Sequence, residues 1–125
     1  VLKHHSGTKA TISMKNLMGT VWDRQDFHRQ GLHQCIADLC LFCKPTLNIV
    51  DAYRVTTANG PQRARPQDVQ LKKMLLVSPD IVAADAAAVR ILGSTPQEAE
   101  HIALAHAMKI GTLDLDQLDV RRLTL

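Results

Sequence analysis

The sequence predicts a single α/β domain over residues 1–125: a mixed sheet with three or four helices packed on it. Three observations carry that expectation. The runs "LNIVDAY" and "KKMLLVS" have the length and apolar content of sheet strands. The segments 26–42 and 81–92 repeat apolar residues with the period of a helix. A chain of 125 residues, 46% of them hydrophobic, suffices for one core but not for two.

In chain order, the opening "VLKHH" reads as the end of a strand. Residues 8–18 read as a helix, with Ala10, Met14, Leu17, Met18 and Val21 on one face, Thr8 or Ser6 as its cap and Gly19 closing it. The alternation of Ala10, Ile12 and Met14 keeps a strand open as the alternative. A helix over 26–42 stops before Pro45. "LNIVDAY" and "KKMLLVS" are expected as neighbouring strands, with 54–70 an exposed Pro/Gly-containing loop between them. Asp80 caps a helix that ends at Gly93. "TPQE" is a capping box, with Thr95 as cap and Glu98 reaching back, opening a helix to Ile110. The tail "DLDQLDVRRLTL" fits a turn followed by a last strand.

Charge is unevenly divided. Residues 1–73 hold 11 Lys/Arg against 5 Asp/Glu, whereas residues 74–125 hold 4 against 7. A basic half attracts phosphate or carboxylate. Nucleic acid is not the expected partner, because aromatics are only 3% of the chain and none is interleaved with the basic residues for base stacking. No apolar run reaches the roughly 20 residues of a membrane span. The absence of an initiating Met and the abrupt start predict a piece of a longer protein. The three cysteines point weakly to a reducing, cytoplasmic setting.

Cys35, Cys40 and Cys43 have the C-x4-C-x2-C spacing of plant-type ferredoxin ligands. They also share one apolar helical stripe with Leu32, Ile36 and Leu39. A stripe of thiols packs as small hydrophobes, so three unliganded core thiols are expected.

Polar residues at positions where the period calls for apolar ones mark the candidate site. Asp85 shares its helix face with Ile81, Val82, Val89 and Leu92, and His28 lies on the stripe of Leu32, Cys35 and Leu39. His106 falls among Ala99, Ile102 and Ala103. A carboxylate or imidazole placed there is costly unless it is paired or hydrogen-bonded. Asp51 ends the apolar run "LNIV", at a strand end where α/β sheets present ligand-binding groups.

The strings "LKHHSGTKATISMKNLMG", "FHRQGLHQCIADL", "PTLNIVDAYR", "NGP" and "SPDIVAADAAAVRILG", with the closing "IGTLDLDQL", together resemble the domain-of-unknown-function family 362. The resemblance implies a module of larger bacterial and archaeal proteins, often beside a ferredoxin-like segment with two iron–sulfur clusters, of which this chain looks like the later portion. It implies no cofactor for this stretch, with any 4Fe–4S clusters carried by that separate segment. The residues matching the family's polar signature are Lys3, His4, His5, Lys15, Asn16, His28, Asp51, Gly60, Pro61, Asp80 and Asp85.

The functional expectation is a domain that binds a small anionic molecule or acts on one. Lys3, Lys15, Asn16 and Gly60 are the candidate ligand-binding residues, because lysine and asparagine supply the donors that carboxylate or phosphate needs. Asp51, Asp85, His5 and His28 are the candidate proton carriers. Lys3, His5, Lys15, Asn16, Asp51 and Asp85 are expected to meet in one concavity, with Asp85 and Lys15 paired directly or through a bound anion or metal. The alternatives are a scaffold that positions an iron–sulfur segment, and a metal site built from His4 or His5 with Asp51 and Asp85. An unpaired strand edge makes a homodimer a further expectation.

Overall fold

A computed structural model describes residues 1–124. Its four-stranded sheet has the order β2-β1-β3-β4, from β1 (Lys3–His5), β2 (Lys9–Thr11), β3 (Asn48–Thr56) and β4 (Val69–Ser78). β1 runs antiparallel to β2 and parallel to β3, and β3 runs antiparallel to β4. Five helices complete the domain: α1 (Ser13–Asn16), α2 (Arg24–Gln30), α3 (Leu32–Phe42), α4 (Ile81–Ile91) and α5 (Glu100–Ala107).

α4 is the centre of the helical layer. It packs on β3, β4, α1 and α5, and its residues from Ile81 to Ala86, with Ala88 and Val89, are buried. A helix buried on nearly all sides needs small residues where neighbours approach, and its five buried or half-buried alanines provide them. Asp80 caps it: one carboxylate oxygen accepts from the Val82 and Ala83 amides at 2.8 and 3.0 Å, and the other accepts from the Thr112 amide at 2.9 Å. Around α4 the core gathers Leu2, Ala10, Met14, Ile36, Val50, Val55 and Ile102.

The paired strands "LNIVDAY" and "KKMLLVS", the Asp80 cap and the Thr95/Glu98 capping box are as expected. Four readings are corrected. Residues 9–11 are strand rather than helix, because Lys9–Thr11 finds backbone partners on β1, and helix starts only at Ser13. The helix expected over 26–42 is two helices, since Gly31 takes a left-handed conformation (φ 105°) and turns the chain between α2 and α3. The helix expected from Thr95 to Ile110 is a 3-10 turn, Pro96–Glu98, a break at Ala99, and then the shorter α5. The tail carries a 3-10 turn at Leu115–Gln117, and no strand follows it among the described residues.

Candidate functional site

Basic residues of β1, α1 and α2 lie close enough for their charges to act on one another. Lys3 and His5 leave β1, Lys15 and Asn16 lie on α1, and Arg24 and His28 lie on α2. Lys3 and Asn16 line one cleft of about 420 Å³, together with Ser13 and Asn48. The His5 ring closes the turn after β1: its Nδ1 accepts from the Gly7 and Thr8 amides at 3.1 and 3.2 Å. An imidazole accepting at Nδ1 carries its proton on Nε2. Partial burial, then the charges of Lys15 and His28 and those of His4 and Lys3, hold its pKa down at about 4. Burial likewise lowers the pKa of Lys15, helped by Lys3 and Arg24. These cations therefore feel one another, and none of Lys3, Lys15 or Arg24 has a carboxylate within ion-pair distance among the described residues.

Asp85 does not join them as an ion-pair partner. It is fully buried, and its oxygens accept from the Ser13 amide at 2.8 Å and the Met14 amide at 3.0 Å. The carboxylate thus satisfies the two otherwise unpaired donors that open α1, the helix carrying Lys15 and Asn16. Burial raises its pKa to about 7 against the opposing pull of the Met14 and Ser13 bonds. The direct pairing expected with Lys15 is corrected: backbone amides take the place expected for the cation.

Asp51 is elsewhere. Its neighbours Val50 and Ala52 are buried, so strand alternation turns it to the outer sheet face, where it is exposed and accepts from the Tyr53 amide at 2.8 Å. Asp51 and Asp85 therefore lie on opposite sides of the sheet, and the proposed ligand set of His4 or His5 with both acids does not assemble. No group of three His, Cys, Asp or Glu side chains suited to a metal ion occurs among the described residues.

Gly60 packs against the backbone of His4. A Cβ there would overlap the His4 carbonyl oxygen, while the Gly60 amide donates to His4 Nδ1 at 3.2 Å. It anchors the loop after β3 against β1. Cys35 and Cys40 are on α3 and Cys43 closes it. All three are free; Cys40 is buried, with its thiol bonded to the Ile36 carbonyl and its pKa pushed up to about 12 by burial, then by Asp85 and Cys43.

Sequence reasoning missed two histidines, His33 and His101, and misplaced a third. His106, expected among apolar neighbours, is exposed, whereas His101 is fully buried and stacks on His33 of α3, with ring centroids 5.8 Å apart and planes at 27°. Neither ring nitrogen of His101 has a partner. Burial, then His33, Lys15 and His5, lower its pKa to about 3. The available signal was its place four residues before Ala105 and next to Ile102, both buried. Arg24 was missed as well, because nothing in "DRQD" distinguishes it from a solvated surface arginine.

No curated protein and no solved structure matches the chain. Residues 1–90 match the family described as Domain of unknown function (DUF362), and this span contains β1 to β4, the basic corner and the buried Asp85. The chain therefore belongs to the DUF362 family.

Proposed function

We propose that the corner between β1, α1 and α2 binds a small carboxylate or phosphate. The observation that carries this reading is the mutual influence of Lys3, Lys15, Arg24, His5 and His28 with, among the described residues, no carboxylate in ion-pair contact with the three strong cations. Like charges held together raise one another's free energy, and an anion shared among them relieves that repulsion. Lys15 and Lys3 supply charge, Asn16 supplies an amide donor, and His5, held neutral, offers its Nε2 proton. Asp85 acts on this site indirectly, by fixing the first turn of α1.

Calorimetric titration with inorganic phosphate and with citrate at low ionic strength tests the reading. Saturable binding is expected, weakening with added salt and falling about tenfold or more in Lys15→Gln, as loss of a charged hydrogen bond implies. Asp51→Asn should leave it unchanged. Absence of saturable binding of either anion by the native chain overturns the assignment.

A further inference from the structure

The outer face of the β3–β4 hairpin is apolar and uncovered. Buried Val50, Ala52 and Val55 mark the inner face of β3. Strand alternation places Ile49, Asp51 and Tyr53 outward, and the register shift between Ala52 and Arg54 brings Arg54, exposed and paired with Leu71, to the same face. Val69, Leu71, Leu75 and Val77 of β4 share that face. Ile49 is 62% exposed, Leu75 65% and Val77 57%. The six large apolar side chains present roughly 600 Å² per copy, at the upper end of what a monomer normally leaves open.

We infer that two copies of this chain pack through this face about a two-fold axis. Two such faces remove roughly 1,200 Å² from water, the lower end of a specific interface. The charges on the face are arranged for a self-complementary contact. Asp51 and Arg54 flank Tyr53 along β3, about 10 Å apart at strand rise. A two-fold axis in the plane of the contact, crossing β3 midway between Asp51 and Arg54, therefore sets Asp51 of each copy against Arg54 of the other, twice. The free edge of the hairpin is the poorer joint: β4 carries Lys72 and Lys73 there, and Lys73 sits at φ 53°, which disrupts the ladder a second edge would have to match.

Sedimentation velocity of the 125-residue chain, from micromolar to submillimolar concentration, reads this directly. A dimer is expected for the native chain and a monomer for Leu75→Lys. Asp51→Arg and Arg54→Asp should each weaken the dimer tenfold or more, and the double exchange should restore it. Circular dichroism checks that each variant is folded, and Val77→Lys replaces Leu75→Lys if that chain does not fold. A native chain that stays monomeric, a dimer indifferent to the lysine substitution, or a double exchange that fails to recover would each overturn the inference.

Discussion

The carboxylate of Asp85 is held in the core chiefly by the Ser13 and Met14 amides, and that fixes what its replacements should do. Asp85→Ala leaves the Ser13 and Met14 amides without an acceptor inside the protein. Each orphaned buried donor costs about 1–3 kcal/mol, so urea denaturation should show a loss of about 2–6 kcal/mol. Asp85→Asn keeps one carbonyl acceptor and should lose about 1–2 kcal/mol. An Asp85→Ala chain as stable as the native one would show that water replaces the carboxylate under α1. Periodicity made Asp85 legible as an expensive buried acid. Its partner was not legible, because backbone amides 71 and 72 residues away in sequence leave no trace in side-chain pattern. Asp51 misled for the opposite reason: alternation along "NIVDA" puts it beside Ile49 on one face, and sequence alone does not say which face is covered.

At the level of elements, local chemistry predicted well where the local signal was complete. Thr95 and Glu98 make the reciprocal bonds their spacing implies, and Asp80 caps α4. Apolar period failed where a tertiary partner or a backbone angle decided the outcome. The strand Lys9–Thr11 exists because β1 offers it a ladder, which overrides the helical spacing of Ala10, Met14 and Leu17. The stripe through Leu32, Ile36 and Cys40 was read correctly, but it does not continue into α2, because Gly31 turns the chain at φ 105°. An alanine at that angle is strained although nothing crowds its Cβ. Gly31→Ala should therefore lower stability by about 1 kcal/mol, seen as a lower urea midpoint with an unchanged slope. It should also carry His28 away from His5, so phosphate affinity should fall with it.

For the molecule as a whole, buried titratable groups set an acid limit. His5 and His101 hold their pKa values at about 4 and about 3, below the ordinary histidine value. The unfolded chain takes up protons below about pH 6.5 that these two imidazoles refuse. Their contribution is present above that pH and is lost as pH falls toward 4 and 3. Asp85, raised to about 7, works the other way: its contribution is full below about pH 4 and is lost as pH rises through 7. Between about pH 4 and 6.5 two protons oppose one, so stability should climb with pH. Urea midpoints measured across that range check the slope, and His101→Leu should flatten it. That variant also removes two ring nitrogens without partners, so it should not destabilise the chain at neutral pH.

The bond from Asp85 to α1 also has a consequence for how the chain acquires its site. The basic corner is written almost entirely in the first 28 residues, yet the helix that carries Lys15 and Asn16 is fastened by a residue of α4. Closing so long a loop is entropically slow and must precede the contacts it rewards. During synthesis the cations are therefore made first and put in order last. A nascent chain shorter than α4 carries the residues of the corner with the first turn of α1 still unfastened, so the proposed anion affinity is expected to arrive in one step with the docking of α4.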